Sequence, residues 1–311
     1  MSDSRALRIV FMGTPEFAVA SLDALMDSRH QVVGVLTIAD KPAGRGRQVQ
    51  MSAVKNYAVE HGLAVAQPEK LRDPDFLNQL AIWNADLFVV VAFRMLPEVV
   101  WNMPPLGTIN LHGSLLPKYR GAAPINWAVI HGEKATGVTT FFLQHEIDTG
   151  KVIKRATLPI GPDETAGELH DSMMALGAFT LKETVDLIAD GKAEAVAQEM
   201  LQDSGEEVCH APKIFKEDCK IDWSKSGAEI HNFIRGLSPY PTAWTMLGDK
   251  SLKIFLGNFI QGNPQTPGEY VTDQKSVLKF ACADGWYAIK ELQFEGKKRM
   301  GVEEFLRGWR P

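Results

Sequence analysis

The chain has 311 residues, 45% of them hydrophobic and 23% charged, which is the composition of a globular protein long enough for two domains. Its net charge of −5 gives no general reason to expect a polyanionic partner, and three cysteines without a Cys-x-x-Cys pair argue against a disulfide framework or a zinc site. Because there is no signal-like N-terminal pattern and no apolar run of 18 residues, we expect a cytoplasmic protein.

The chain opens with a predicted strand, a tight turn and a helix. Residues 8–12 are an apolar run that ends at Gly13, which predicts a buried parallel strand. Thr14 is predicted as the N-cap, and Pro15 as the first residue, of a helix that extends to about residue 27. The dinucleotide-binding pattern Gly-x-Gly-x-x-Gly is absent after this strand, so we do not predict a nicotinamide cofactor.

Strands and helices then alternate over about the first 190 residues. Further strands are predicted at residues 32–38, 86–93, 107–111, 136–143 and 151–158. Further helices are predicted near residues 52–61, 124–130 and 165–190, the last of which begins with a capping box at Thr165 and Glu168. This alternation predicts an α/β fold, Rossmann-like, with a doubly wound and mostly parallel sheet.

The pattern changes in the last third of the chain. Residues 191–212 are polar and without hydrophobic periodicity, which predicts a linker between a domain at 1–190 and a domain at 213–311. A second capping box, at Ser226 and Glu229, predicts a helix to about residue 237. Short strands are predicted at residues 243–247, 251–259, 268–271, 277–282 and 286–294. Strands at this spacing predict a small β-barrel. Residues 211–311 hold 15 Lys and Arg against 12 Asp and Glu, a local charge of +3 that permits contact with nucleic acid.

A basic loop follows the second predicted strand. Lys41, Arg45 and Arg47 alternate there with two glycines and a proline, which predicts a loop with conformational freedom and positive charge. A solvated surface loop is the more common outcome of such a composition, and an arm that contacts phosphate groups is the other. The residues of the loop leave both interpretations open.

An Asn and a His stand two residues apart where a predicted strand runs into a turn-rich loop. Because side chains of a strand alternate, Asn110 and His112 share one face, where unpaired polar groups would be costly. Asp148 lies in a polar loop after the next strand and could meet them at the carboxyl edge of the sheet. An amide donor, an imidazole and a carboxylate suit acyl transfer. Ser114 lacks the Gly-x-Ser-x-Gly elbow of a nucleophile, so direct attack by a substrate group is predicted.

A longer motif carries a resemblance to a known family. The pattern Asn-x-His-x-Ser-Leu-Leu-Pro-x-x-Arg-Gly at 110–121, with Asp-Thr-Gly at 148–150, closely resembles the 10-formyltetrahydrofolate-dependent formyltransferases. Within that superfamily, Gly-Thr-Pro-x-Phe at 13–17, Lys-Pro-Ala-Gly-Arg-Gly at 41–46 and Ile-Asp-Trp at 221–223 are similar to the methionyl-tRNA formyltransferase family. The resemblance covers nearly the whole chain and weakens after about residue 295.

The resemblance implies roles for residues of the catalytic domain, 1–190. Catalysis is assigned to Asn110, His112 and Asp148. The family's folate-binding segment matches Ser114, Leu115, Leu116 and Pro117. Many members have Tyr-Gly where this chain has Phe93 and Arg94, in a loop that lines the pterin pocket. Arg94 is therefore expected to alter that pocket or to point to solvent, without affecting the catalytic residues.

The resemblance also implies how tRNA is held. The loop with Lys41, Arg45 and Arg47 matches the insertion that reaches the tRNA acceptor end, and domain 213–311 matches an OB-like β-barrel that binds tRNA. OB-like barrels use a charged face with aromatic side chains. Three aromatic residues of this domain are candidates for stacking, although core packing is the more common role for each: Tyr240, Trp244 and Trp286.

The implied reaction is transfer of the formyl group of 10-formyltetrahydrofolate to the α-amine of methionine on initiator methionyl-tRNA. No metal is expected, and a monomer is expected. One alternative is an enzyme that formylates an amino sugar nucleotide, which would share the catalytic residues; the Pro-Ala-Gly-Arg-Gly loop at 42–46 favours tRNA. An alternative of another class is a non-catalytic RNA-binding protein, against which the intact catalytic residues argue.

Overall fold

The computed structural model describes residues 5–43, 48–202, 208–263 and 266–310. These residues form two compact units. The first comprises the described residues within Met1–Arg120, Gly137–Leu158 and Asp171–His210, and the second those within Gly121–Thr136, Pro159–His170 and Ala211–Pro311. Most of the segment predicted as a linker, 191–212, thus packs within the first unit, while the predicted domain limits stay a prediction.

The strands up to the start of the C-terminal part are two to eight residues long. Their bounds are β1 Arg8–Gly13, β2 Gln31–Leu36, β3 Lys41–Ala43, β4 Gln48–Gln50, β5 Val65–Ala66, β6 Leu87–Val91, β7 Thr108–His112, β8 Arg120–Gly121, β9 Ala135–Phe142, β10 Val152–Pro159 and β11 His210–Ala211. Seven of them form one sheet in the order β10-β9-β7-β6-β1-β2-β5. The five strands from β7 to β5 are parallel, and β9 runs antiparallel to β7. This sheet confirms the predicted Rossmann-like α/β fold.

Eight α-helices connect or flank the strands. Their bounds are α1 Glu16–Met26, α2 Ala53–Glu60, α3 Pro74–Ile82, α4 Glu98–Trp101, α5 Pro124–Ile130, α6 Ala166–Ala189, α7 Gly227–Gly236 and α8 Val302–Gly308, all within the described ranges. The capping box of α6 is confirmed, since Thr165 N donates to Glu168 Oε2 (2.9 Å) and Glu168 N to Thr165 Oγ1 (3.2 Å). The predicted N-cap Thr14 is wrong: Pro15 caps α1 without a side-chain hydrogen bond.

A buried histidine ties the start of β1 to α6. His30 Nδ1 accepts a hydrogen bond from the backbone N–H of Leu7 (3.1 Å), so this nitrogen carries no proton. Nε2 lies 3.1 Å from Asp186 Oδ1 and donates to it. Burial lowers the pKa of His30, and the contact with Asp186 opposes that shift without cancelling it. The folded protein therefore holds His30 in its neutral form.

This histidine makes stability depend on pH. Because its folded pKa lies below the unfolded value, the unfolded chain binds more protons as pH falls from about 6.5 through the folded pKa, and stability is lost in that window. His30→Gln removes this titration. We expect its destabilisation relative to the parent to be smaller at pH 5 than at pH 7.5, measured by urea unfolding. The exposed His61, replaced by Gln, is the control; an equal destabilisation by His30→Gln at both pH values would contradict the prediction.

The C-terminal strands form an antiparallel sheet in the second unit. Their bounds are β12 Ala243–Leu247, β13 Lys250–Gln261, β14 Tyr270–Thr272, β15 Leu278–Cys282, β16 Gly285–Phe294 and β17 Met300–Gly301. The order is β12-β13-β16-β15-β14, with β17 also paired to β16. Register shifts between Ile254 and Gly257 bend the twelve-residue strand β13 at its middle. This curled antiparallel sheet agrees with the predicted OB-like β-barrel class.

Two helices pack together in the second unit. Helix α7 begins at the predicted capping box, in which Ser226 Oγ accepts from Glu229 N and the Glu229 carboxylate accepts from Ser226 N. Asn126 Nδ2 of α5 donates to the carbonyl of Gly236 at the end of α7 (2.8 Å). A Cβ at Gly236 would lie 2.6 Å from Ile130, so glycine lets the two helices approach. This packing explains why α5, early in the chain, belongs to the C-terminal unit.

Candidate active site

Strand β7 places the first two predicted catalytic residues. It pairs with β6 on one side and β9 on the other, so that Asn110 lies opposite Val90 and Phe141. His112 ends the strand two residues later, on the same face as Asn110. His112 is buried and Asn110 half-buried. Among the described residues, no side-chain hydrogen-bond partner of Asn110 is found.

The ring of His112 lies between two partners. Its Nε2 lies 2.8 Å from the carbonyl oxygen of Tyr119, and because a carbonyl only accepts, Nε2 carries the proton and donates. Its Nδ1 lies 3.8 Å from Oδ2 of Asp148. This distance exceeds a hydrogen bond but leaves the carboxylate close enough to stabilise a positive ring.

Asp148 stands in the loop between β9 and β10 with a left-handed backbone, φ 55°. Its carboxylate is largely buried, at 12% side-chain exposure. Two residues later, Gly150 lies so close to β9 that a Cβ there would be 1.6 Å from the carbonyl oxygen of Phe142. The loop is therefore pressed against the end of β9, and only glycine allows that approach. The structure thus brings Asp148 to His112, as the sequence predicted.

The chain matches known formyltransferases along most of its length. Residues 7–185 match the formyl transferase family, and residues 213–310 match the formyl transferase C-terminal domain. The chain belongs to the formyl transferase family. A relative from Parabacteroides distasonis named methionyl-tRNA formyltransferase is 54% identical over 311 residues, covering 98% of this chain and 96% of the relative. A relative of the same name from Bacteroides fragilis is 52% identical over 309 residues, covering 97% of this chain and 95% of the relative.

Solved structures of the same fold include an N-formyltransferase from Helicobacter canadensis in complex with folinic acid and dTDP-3-aminofucose. The alignment has a TM-score of 0.64 and 20% identity, and covers 94% of this chain and 99% of the other. Another is HypX from Aquifex aeolicus in complex with tetrahydrofolic acid, with a TM-score of 0.65 and 18% identity, covering 99% of this chain and 50% of the other. At these identities the likeness establishes the fold.

In this formyltransferase the segment predicted to bind folate is held by its own hydrogen bonds. Thr139 Oγ1 donates to the carbonyl of Ser114 (2.6 Å) and accepts from Leu116 N (3.1 Å). Ser114 Oγ donates to the carbonyl of Lys118 (2.6 Å). Ser114, Leu116 and Pro117 are buried, and Leu115 is half-buried. A folate contact through Ser114 or Leu116 would therefore involve the backbone of the segment, and the assignment stays a prediction.

Arg94, where the chain departs from the family pattern, turns toward a neighbouring loop. Its Nη1 donates to the carbonyl of Glu69 (2.9 Å), and its Nη2 to the carbonyl of Pro68. The guanidinium also lies 5.8 Å from the centre of the Phe93 ring. Arg94 thus joins the loop after β6 to the loop after β5.

The residues predicted to bind tRNA lie in and after β3. Lys41 begins β3, and Arg45 and Arg47 lie outside the described residues. In the second unit, Tyr240 is 82% exposed, whereas Trp286 is half-buried with Lys279 Nζ 4.6 Å from its ring centre. Trp244 is half-buried and donates through Nε1 to the carbonyl of Lys216 (2.9 Å). Tyr240 is the aromatic residue of the three that exposes its ring most.

No group of three or more His, Cys, Asp and Glu side chains among the described residues is placed to hold a metal ion. No described helix has the length and apolar composition needed to cross a membrane.

Proposed function

We propose that this chain transfers the formyl group of 10-formyltetrahydrofolate to the α-amine of methionine on initiator methionyl-tRNA. The observation that carries the proposal is the group formed by Asn110, His112 and Asp148 at the end of β7, in a chain of the formyl transferase family. Relatives named methionyl-tRNA formyltransferase are more than 50% identical over nearly the full length. Structural relatives crystallised with tetrahydrofolic and folinic acid support a folate donor.

The proposed chemistry uses the two donors of β7 on one oxygen. As the methionine amine attacks the formyl carbon, the carbonyl oxygen gains negative charge. Asn110 donates a neutral N–H to this oxyanion, and protonated His112 donates from Nδ1, because Nε2 is engaged by Tyr119. Fixed donors of this kind stabilise the transition state more than the substrate.

Asp148 supports the charge on His112 and assists proton movement. The new C–N bond forms at the methionine nitrogen, and the bond from the formyl carbon to N10 of the folate breaks. One proton leaves the amine and one is delivered to N10, so tetrahydrofolate and formylmethionyl-tRNA are the products. With its Oδ2 3.8 Å from Nδ1, Asp148 stabilises the positive ring directly, and its carboxylate orders the water that carries the proton. No step of this scheme uses a metal.

The acceptor is the finer part of the proposal. Identity above 50% to relatives named for methionyl-tRNA supports this acceptor over an amino sugar nucleotide and over a non-catalytic RNA-binding role. We further propose that the protein acts as a monomer in the cytoplasm, where translation initiation takes place. The catalytic residues alone do not distinguish a tRNA from a sugar acceptor.

A formylation assay tests the proposal. Purified protein is incubated with 10-formyltetrahydrofolate and, in separate reactions, initiator methionyl-tRNA, elongator methionyl-tRNA or a dTDP-amino sugar. We expect formylmethionyl-tRNA from the initiator species and no formylated sugar. Formylation of the sugar alone would show that the protein is an amino sugar formyltransferase instead. Binding of RNA without formyl transfer would support a non-catalytic role.

Arg45→Ala is expected to raise the KM for tRNA by about tenfold and to leave the KM for folate unchanged. The loop matches the family's tRNA insertion, and each lost phosphate contact weakens binding and lowers the salt dependence of affinity. Steady-state kinetics at several salt concentrations measure both effects, with the exposed Arg72, replaced by Ala, as control. If Arg45→Ala had the same KM for tRNA and the same salt dependence as the parent, the loop would be a solvated surface loop that does not contact tRNA.

A further inference from the structure

Gln198 is a buried polar residue in the segment that the sequence presents as a linker. It begins a short 3₁₀ helix, Gln198–Leu201, and only 1% of its surface is exposed. Its side-chain amide makes four hydrogen bonds, all within the first unit. A buried amide with all of these contacts fixes the groups around it, because breaking any one leaves a buried polar atom unpaired.

The nitrogen of this amide holds the loop of Asp148. Gln198 Nε2 donates to the carbonyl of Asp148 (2.8 Å) and to the carbonyl of Gly150 (2.9 Å). Asp148 has a left-handed φ of 55°, a conformation that a non-glycine residue adopts at a cost. Two hydrogen bonds to carbonyls on either side of Thr149 stabilise that conformation. They therefore determine where the Asp148 carboxylate lies relative to His112.

The oxygen of the amide is held by Arg120. Gln198 Oε1 accepts from Nε (3.0 Å) and Nη2 (2.7 Å) of the guanidinium. Because a guanidinium only donates and a carbonyl only accepts, this arrangement allows one orientation of the amide. Arg120, in the same motif as Asn110 and His112, thus directs the Gln198 nitrogen toward the loop of Asp148.

Other residues of the segment around Gln198 also bind it to the elements near His112. Val196 and Val152 exchange two backbone hydrogen bonds of 2.8 Å, which join the segment to the start of β10. Farther along, the carbonyl of Cys209 accepts from Tyr119 N (2.6 Å), and Tyr119 supplies the carbonyl that holds His112 Nε2. Residues 196–198 and 209 therefore contact the elements on both sides of the His112 ring.

We propose that Gln198 is a positioning residue: with Arg120 it holds Asp148 at the distance from His112 that formyl transfer requires. This role rests on the proposed function, in which Asp148 supports the charge on His112. Gln198 touches neither substrate in this account and acts through Asp148. Its loss should therefore lower kcat and leave the KM values for folate and tRNA near those of the parent.

Gln198→Glu keeps the hydrogen-bond acceptor of the side chain and removes its donor. The carboxylate still accepts from Arg120 but cannot donate to the carbonyls of Asp148 and Gly150, which it repels. We expect kcat to fall by about 10- to 100-fold with each KM within about threefold of the parent. Gln198→Met, which keeps the length without hydrogen bonds, should lose as much. Glu199→Gln, on the exposed side of the same short helix, is the control and should keep parental kinetics.

A double-mutant cycle tests whether the effect passes through Asp148. In an Asp148→Ala background, Gln198→Glu should lower kcat by less than about twofold further. The melting temperature of each variant is also measured. If the Gln198 variants melt at a lower temperature than the parent, Arg120→Lys is tested instead, because it keeps Gln198 but loses one of the two hydrogen bonds to Oε1. We expect Arg120→Lys to lower kcat by about 3- to 10-fold. Parental kcat in these variants, full additivity with Asp148→Ala, or a loss confined to KM would overturn the role. An inactive parent protein would overturn the proposed function and this role with it.

Discussion

Asn110→Ala and His112→Ala are each expected to lower kcat for formyl transfer by about 10²- to 10³-fold. Each side chain supplies a donor to the developing oxyanion, and losing one such donor typically has an effect of this size. The two residues share one face of β7, so both donors can reach the same oxygen. Because the contacts strengthen as charge develops, kcat should fall much more than the KM for folate or tRNA changes.

His112 also has a structural contact, which a further variant separates from catalysis. In His112→Ala the carbonyl of Tyr119 loses this hydrogen bond, so we expect a lower melting temperature together with the lower activity. His112→Gln can retain a donor near the position of Nε2 but has none at Nδ1. We expect it to melt close to the parent and to be as inactive as His112→Ala. Asn78→Ala and His61→Ala, both at exposed positions, control for the residue types, and near-parental turnover in Asn110→Ala and His112→Ala would refute the assignment.

Local patterns predicted much of the fold. The apolar strands β1, β6 and β7 and the capping boxes of α6 and α7 depend on residues near one another in the chain, and the structure contains all of them. The predicted N-cap of α1 was wrong because the choice between Thr14 and Pro15 depends on how the chain leaves β1, which residue preferences do not determine. The meeting of His112 and Asp148 was predicted from a shared carboxyl edge, and that reason was wrong: β9 runs antiparallel to β7, so its last residue Phe142 lies opposite Ile109, and the loop after it reaches His112 from there.

What the sequence could not predict depends on contacts distant in the chain. Gln198 lies in a polar stretch without periodicity, and its partners Arg120 and Asp148 are 78 and 50 residues away. No pattern in residues 191–212 distinguishes it from its neighbours. The packing of α5 against α7 also joins distant parts of the chain. It depends on the close approach of Ile130 to Gly236, which no local sequence pattern predicts. Sequence patterns predict elements better than they predict such distant pairs.

Gly150→Ala is expected to reduce kcat by about 10²-fold and to lower stability by about 1–3 kcal/mol. The new Cβ would lie 1.6 Å from the carbonyl oxygen of Phe142 and 3.1 Å from the ring of Phe141, so the loop or the end of β9 must move. Asp148 lies two residues away, and a displacement of about 1 Å at a catalytic group can cost this much activity. Any shift also weakens the hydrogen bond from Gln198 to the Gly150 carbonyl.

The two effects of Gly150→Ala are measured separately, by urea unfolding and by steady-state kinetics at a temperature well below the melting transition. Gly308→Ala is the matched control, because a Cβ there meets no atom within 4 Å. Gly308→Ala should change the free energy of unfolding by less than about 0.5 kcal/mol and should keep the parental kcat. If Gly150→Ala lost stability but kept parental kcat, the loop would move without moving the Asp148 carboxylate. That result would separate the close packing at Gly150 from catalysis and leave Gln198 as the residue that fixes Asp148.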